Sequence, residues 1–196
     1  MTALEDAPVV EPGDRAAWRA WLEANHVSAT GAWVVMSRRP VGPELDYEAA
    51  VEEALCFGWI DSTAGRVDDL RGKLYFARRK PRGGWAATNK ARLERLIAAG
   101  RMAPAGIAAI ERAKANGSWE VLDAVERLEL PDDLRAALEA RPPAAANFAA
   151  FPSSARKMLL GWVAIARRPA TRAARIEEIT AAAARNERKG ERPRVR

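Results

Sequence analysis

The stretch CFGWIDS, Cys56–Ser62, sets an apolar run, a glycine and an alternating pattern in direct succession. Residues 46–56 before it carry apolar side chains at the spacing of one helical face. Glycine adopts the left-handed backbone geometry that commonly ends a helix, so this helix is predicted to stop at Gly58. The residues that follow alternate as in a strand, with Trp59 and Asp61 pointing the same way. The stretch therefore predicts a change from helix to sheet.

The helix before Gly58 is predicted to begin at Asp46, whose carboxylate can cap it. Its apolar face comprises Tyr47, Ala50, Val51, Ala54 and Leu55, and its solvent face comprises Glu48, Glu52 and Glu53. Cys56 then lies in the last turn, where the helix dipole raises the pKa of a thiol. A nucleophilic role for Cys56 is therefore disfavoured.

Two further runs complete a small sheet. Residues 74–79, LYFARR, are separated from WIDST by a polar turn, which favours an antiparallel pair. Gly31 precedes a third predicted strand, residues 32–39, AWVVMSRR, and Asp14 is predicted to cap an earlier helix over 14–25. From Thr88 onward the pattern is helical.

The predicted fold class is α+β, with a small antiparallel sheet and helices in the N-terminal half and an all-helical C-terminal module. We predict an α+β domain over 1–128, a helical module over 129–187 and a disordered basic tail over 188–196. The tail offers almost no apolar surface to bury.

Composition places the 196-residue chain in the soluble globular class, with 48% hydrophobic and 30% charged residues. Its first residues lack the basic and apolar regions of an export signal, and no apolar run is long enough to be a transmembrane segment. A single cysteine fits a reducing compartment. The predicted location is the cytoplasm.

Charge alternates along the chain. Residues 1–65 hold 4 Lys and Arg against 11 Asp and Glu, whereas residues 66–101 hold 11 against 3, and residues 131–196 hold 14 against 7. The basic blocks could form a surface for nucleic acid. Alternatively, acidic and basic blocks face one another in the fold, and we favour this second interpretation.

A hypothetical ligand pocket follows from the polar residues around the sheet. Flat apolar walls and orienting polar groups would come from six residues: Trp59, Asp61, Tyr75, Arg78, Trp85 and Asn89. The alternative for Asp61 is a structural ion pair with an arginine of the following basic segment, which we favour, because buried carboxylates are generally paired.

No catalytic residue set, metal site or cofactor is predicted. One histidine and one cysteine cannot supply a tetrahedral N/S metal site. In the C-terminal module, Arg168, Arg172 and Arg175 would share one face of a continuous helix, although Pro169 interrupts it. This basic patch could bind an anionic partner or simply be solvated.

Several strings resemble the YdeI/OmpD-associated family, also described as bacteriocin-protection proteins. They are YEAAVEEALCFGWIDST, FARRKP, Trp85 with Asn89, LIAAGRMAPAGIAAIERAKANGSW, and the C-terminal part from LPDDLRAALEARP to SSARKMLLGWVAIARRPATRAARIEEI. The chain departs from the family at Ala77 and Arg78, where family members usually have a Thr-Pro or Ser-Pro pair.

The resemblance implies a role in protection from bacteriocins or antimicrobial peptides, or in stress response, by binding rather than catalysis. An acidic protein or a small anionic ligand would suit the basic surface, and nucleic acid is possible but not favoured. Two alternatives stay open: an enzyme or sensor using the Trp/Asp/Arg pocket, and a nucleic-acid-binding protein using the basic blocks.

Overall fold

The computed structural model describes Leu4 and residues 6–187. The predicted tail, 188–196, lies outside the described residues. The described chain divides into two units, the first comprising residues up to Gly83 with Thr88–Asn116, and the second Gly84–Ala87 with the chain from Gly117 onward. The boundary expected at residue 128 lies inside the second unit.

The first unit combines a four-stranded sheet with four helices, and the expected α+β class is confirmed. Its elements are β1 (Val9–Val10), α1 (Arg15–Asn25), β2 (Gly31–Ser37), α2 (Tyr47–Cys56), β3 (Trp59–Arg66), β4 (Arg71–Arg78), α3 (Ala87–Ala98) and α4 (Pro104–Ala115).

The sheet has the order β1-β2-β4-β3. The predicted β3–β4 pair is antiparallel, and β2 pairs with β4 in the same way, with Val34 opposite Leu74. The sheet is not purely antiparallel, because β1 adds a short parallel strand with Val10 opposite Val34. β1 was not predicted, because its two residues are too few to show the alternation that identifies a strand.

The change from helix to sheet occurs where it was predicted. Asp46 caps α2 by accepting a hydrogen bond from Ala49 N at 2.7 Å, and Gly58 has φ of +72°. α4 packs closely against the end of α2, so a small residue is also required at the contact point on α4. A Cβ built on Gly106 in α4 would lie 2.2 Å from the Cys56 carbonyl oxygen, and Ala103 N donates to that oxygen at 3.1 Å.

The sheet packs on α1 and α2 through large aromatic side chains. Trp18 in α1 is fully buried, its ring centroid is 5.5 Å from that of Phe76 in β4, and its Nε1 donates to Ala50 O at 3.0 Å. Trp59 is also fully buried, and its ring lies edge-on to Trp21. These contacts form the apolar core on one face of the sheet.

Glu53 in α2 is buried, with 0% of its surface exposed, so the prediction that it faces solvent was wrong. Its Oε1 accepts from Arg15 Nε at 2.6 Å and from Arg101 Nη2 at 2.5 Å, and its Oε2 accepts from Arg19 Nη1 at 2.8 Å. Three guanidinium groups offset the cost of desolvating the carboxylate. Glu53 lies i+3 from the buried Ala50, a spacing that indicated the buried face.

The second unit is helical. Its elements are α5 (Asp123–Glu126), α6 (Asp132–Glu139), α7 (Ala144–Ala150), α8 (Ser153–Ala164) and α9 (Pro169–Ala184). Its core gathers apolar residues from all five helices, including Val125, Leu134, Phe148, Leu159 and Ile179. The helical pattern expected from Thr88 onward is interrupted, because residues 116–122 form turns.

Replacing Glu53 by Gln should lower the free energy of unfolding by about 3–5 kcal/mol, because three guanidinium groups lose the carboxylate that they surround. Burial raises the pKa of Glu53, but hydrogen bonds from Arg15 and Arg19 outweigh burial and hold it below the ordinary value of 4.5. This stabilisation is therefore complete above pH 4.5 and is lost as the pH falls through the lowered pKa.

Urea unfolding between about pH 3 and pH 7 measures both the stability loss in Glu53→Gln and its dependence on pH. This range roughly brackets the ordinary carboxyl pKa. Glu94→Gln is the control, because Glu94 is exposed on α3, and it should change stability by less than about 0.5 kcal/mol. An equally small loss in Glu53→Gln would contradict the structural role of the cluster.

Two helical glycines should respond oppositely to alanine. Gly106→Ala should destabilise by about 1–3 kcal/mol, because the new methyl group would overlap the Cys56 carbonyl. Gly161→Ala should stabilise by about 0.5–1 kcal/mol, because its Cβ would meet Leu122 and Val125 at 3.9 Å and alanine favours the helix. Thermal unfolding of both variants checks this; a shift of the same sign in both would refute the packing described.

Candidate functional site

A polar cluster surrounds Asp61 on β3. Tyr47, the first residue of α2, donates its hydroxyl to Asp61 Oδ2 at 3.4 Å. Tyr47 is 51% exposed, so it does not lie on the buried face where its spacing placed it. Burial of the ring and the charge of Asp61 raise the pKa of the Tyr47 hydroxyl, and Arg92 opposes them. The hydroxyl therefore keeps its proton and acts as a donor to Asp61.

Arg92 on α3 connects this cluster to Asn89. Its Nε and Nη2 donate to the two carboxylate oxygens of Glu48 at 2.9 and 2.5 Å, and its Nη1 donates to Asn89 Oδ1 at 2.9 Å. Arg95 also contacts Glu48, at 3.3 Å. The side chain of Asn89 is thus held by an arginine of the same helix. Neither Tyr47 nor Arg92 was among the candidates, since only the fold brings α2 and α3 together.

Arg79 follows β4 and supplies a second positive charge near Asp61. Burial lowers the pKa of its guanidinium to about 10, and the negative charge of Asp61 acts in the opposite direction. Asp61 makes no ion pair within 4 Å among the residues that the structure describes. Its interaction with the arginines is electrostatic at longer range, and its direct partner is Tyr47.

The six expected pocket residues do not lie on one surface. Asp61 and Asn89 both belong to the polar cluster, whereas Trp59 is buried in the core beside Trp21. Tyr75 lies on the opposite face of the sheet, where its ring meets Trp33 at 5.4 Å.

The two remaining pocket candidates lie elsewhere. Arg78 is exposed at the end of β4, opposite Trp59 in the strand register. Trp85 belongs to the second unit, where its ring packs on Trp119 at 5.1 Å. Strand alternation predicted that Trp59 and Asp61 lie on the same side of β3. It could not predict how residues of the other elements are placed relative to that side.

Cys56 is buried. Burial raises the pKa of its thiol, the charge of Glu53 raises it further, and Arg19 lowers it. A raised pKa was expected from the helix terminus, but burial is the larger cause. The thiol is therefore kept neutral and shielded from solvent.

A depression of about 610 Å³ at the end of β2 is lined partly by acidic residues. Its carboxylates have partners within the chain, since Arg71 contacts both Glu11 and Asp68, and Arg66 contacts Asp69. No group of three or more His, Cys, Asp or Glu side chains able to hold a metal ion occurs among the described residues.

The expected basic patch of the second unit is engaged in internal contacts. Arg172 donates to both oxygens of Asp133, at 2.5 and 2.8 Å, and to Val163 O at 3.3 Å. Arg175 Nη1 donates to Trp162 O at 2.5 Å, and its guanidinium lies 5.1 Å from the Trp162 ring centroid. Arg168 is the N-cap residue of α9, which begins at Pro169. Two of the three arginines thus satisfy carbonyl groups at the end of α8.

An apolar depression of about 520 Å³ opens on the surface of the second unit. It was not predicted, because helical periodicity shows which residues share a face but not whether another element covers that face. They are Leu122, Met158, Leu159, Gly161, Trp162, Ile165 and Glu178. Met158 is 38% exposed and Ile165 is 48% exposed. This surface can accept apolar side chains from a partner.

The fold and these surfaces define a two-unit α+β protein whose helical second unit carries an exposed apolar depression. A family model described as a domain of unknown function, DUF8412, matches residues 10–109. A second model, described as "Bacteriocin-protection, YdeI or OmpD-Associated", matches residues 127–186.

The chain therefore belongs to the DUF8412 family over the first range and carries a YdeI/OmpD-associated, bacteriocin-protection domain over the second. The resemblance inferred from the sequence is confirmed for this second range. The motif around Gly58 falls within the DUF8412 match. No curated protein and no solved structure matches the chain.

Replacing Asp61 by Asn should lower the pKa of Tyr47, because the carboxylate charge that favours the protonated phenol is removed. NMR titration of ring-labelled tyrosine measures this directly, since the chain has only two tyrosines. Asp69→Asn, in the exposed β3–β4 turn, is the matched control and should leave the pKa of Tyr47 unchanged. An unchanged Tyr47 pKa in Asp61→Asn would contradict the contact described.

Proposed function

We propose that this protein acts by binding, without catalysis, in protection from bacteriocins or antimicrobial peptides or in stress response, and that it does so in the cytoplasm. The family description over residues 127–186 supports the type of role. The observation that carries the proposal is the exposed apolar depression, whose lining residues other than Leu122 fall within that range, because burying apolar surface is the main driving force of protein association.

The charge contacts argue against nucleic acid as the main partner. Arginines of the basic block 66–101 pair with carboxylates of the acidic block 1–65. Phosphate binding needs cations whose counterions can be released, and paired guanidinium groups are less free to provide this. The interpretation that acidic and basic blocks face one another is thus confirmed for these pairs.

A small-molecule sensor remains the second candidate. It is favoured by one observation, the convergence of Tyr47, Asp61, Asn89 and Arg92 within hydrogen-bonding networks of the first unit. A ligand with both a donor and an anionic group could exchange for these internal contacts. We rank it second, because each of these polar groups already has a partner within the chain.

Membrane insertion forms no part of the proposed mechanism. Among the described residues, none of the helices has both the length and the apolar content required to cross a bilayer.

Ile165→Glu should abolish protection, because a carboxylate would enter the apolar depression and oppose burial of a partner's side chains. The measurement is survival of bacterial cells that lack the protein, complemented with each variant and challenged with a panel of bacteriocins. Val27→Glu is the matched control, since Val27 is an exposed aliphatic residue of the first unit. Survival equal to wild type in Ile165→Glu would overturn the depression as the binding surface.

Two further measurements make the assay decisive. The melting temperature of each purified variant separates lost binding from lost folding. Wild-type protein that gives no survival advantage against any member of the panel would overturn the protective role itself. Fractionation of the same cells tests the location, and recovery outside the cytoplasmic fraction would contradict that part of the proposal.

A further inference from the structure

The apolar depression follows the axis of α8. Met158, Trp162 and Ile165 are spaced at i, i+4 and i+7, so they lie along one side of the helix. Ile165 is the C-cap residue of α8, so the row runs to the end of the helix. Seven steps separate Met158 from Ile165, which corresponds to about 10 Å at the rise of an α-helix. Gly161 also lines the depression and contributes no side chain to it.

Glu178 on α9 is the charged residue that lines this depression. It is exposed, and no Lys, Arg or His of the described chain lies within 4 Å of its carboxylate. Its neighbour Glu177 differs, since both oxygens of Glu177 accept from Arg141 Nη2, at 2.7 and 2.8 Å. A negative charge thus stands beside apolar surface without a cation from the described chain.

Arg175 does not neutralise Glu178 directly. It lies one turn earlier on α9, but its guanidinium packs over the Trp162 ring and donates to Trp162 O. Arg175 is not among the residues that line the depression. It packs on the Trp162 indole and is not an ion-pair partner of Glu178.

The backbone around the depression restricts how a peptide can bind. Met158, Gly161 and Trp162 lie within α8 and Glu178 within α9, where N–H and C=O groups are used by the helix. An extended peptide needs free backbone groups on a strand edge, which a helical surface does not offer. A polar metabolite needs several orienting groups, whereas this surface has one charged side chain.

We propose that the depression binds an amphipathic helix of a partner protein or peptide, with apolar side chains against Met158, Trp162 and Ile165 and a lysine or arginine against Glu178. A helical partner repeats its side chains at the same i, i+4 and i+7 spacing as α8, which lets the two rows interdigitate. Methionine adapts to differently shaped partners because its side chain is flexible. This inference rests on the proposed function and deepens it by naming the partner class.

The test uses synthetic amphipathic helical peptides of about 15 residues, about the length at which isolated helices become stable. All carry the same leucine face. In one set a single lysine is moved through the positions that flank this face, and in the matched set glutamine replaces the lysine. Affinity for the full chain is measured by fluorescence anisotropy of dye-labelled peptides at low and high salt.

We expect a lysine peptide to bind about threefold more tightly than its glutamine counterpart, since exposed ion pairs contribute modestly. This preference should weaken with salt and disappear in Glu178→Gln. Glu178→Lys should reverse it, so that a peptide with glutamate at the same position binds better than the lysine peptide. Glu139→Gln is the matched control, because Glu139 is exposed on α6 outside the depression, and it should keep the wild-type preference.

The outcomes separate this inference from the proposed function. Equal binding of lysine and glutamine peptides at every position overturns the role of Glu178. Binding that persists in Ile165→Glu places the peptide elsewhere and overturns the site. If no peptide binds while Ile165→Glu still abolishes survival, the helical partner is refuted and the proposed function stands.

Discussion

Glu53 is a carboxylate without exposed surface, held by the guanidinium groups of Arg15, Arg19 and Arg101. The first two belong to α1 and the third follows α3, so one buried charge ties two other segments to α2. Burying an unpaired carboxylate would cost several kcal/mol, roughly as much as a small domain's net stability. The arrangement is therefore specific: if α1 or the segment after α3 shifts, the charge loses its partners.

The same helix positions the sheet. α2 ends at Cys56, two residues before the positive-φ Gly58, and the Cys56 carbonyl oxygen accepts a hydrogen bond from Ala103 N just before α4 begins. Gly106 allows α4 to approach this carbonyl more closely than any other residue would permit. The start of β3, including Trp59 and Asp61, is thereby fixed between α4 and the aromatic core. Asp61 reaches Tyr47 because α2 and β3 leave this turn side by side.

The distribution of paired charges directs attention to the second unit. Several arginines of the first unit meet carboxylates of the same unit, and Arg172 and Arg175 donate to carbonyl groups at the end of α8. Many arginines of this basic chain therefore contact carboxylates or carbonyl groups of the chain itself. Exposed Met158 and Ile165 with the carboxylate of Glu178 form a surface that these contacts leave open. A partner can bury apolar side chains on such a surface, and the single carboxylate can set the position of a cationic side chain of the partner.

Local rules in the sequence determined the caps at Asp14 and Asp46, the helix end at Gly58 and the β3–β4 pair, because each depends on residues a few positions apart. The family of residues 127–186 was also legible in the sequence. Only the tertiary structure decided that Glu53 is buried, that Trp59 lies in the core rather than a pocket wall, and that Tyr47 and Arg92 surround Asp61. It also decided that Met158 and Ile165, at the two ends of the row along α8, are partly exposed. These outcomes depend on partners distant in the chain, and helical periodicity or strand alternation specifies a face without specifying what that face meets.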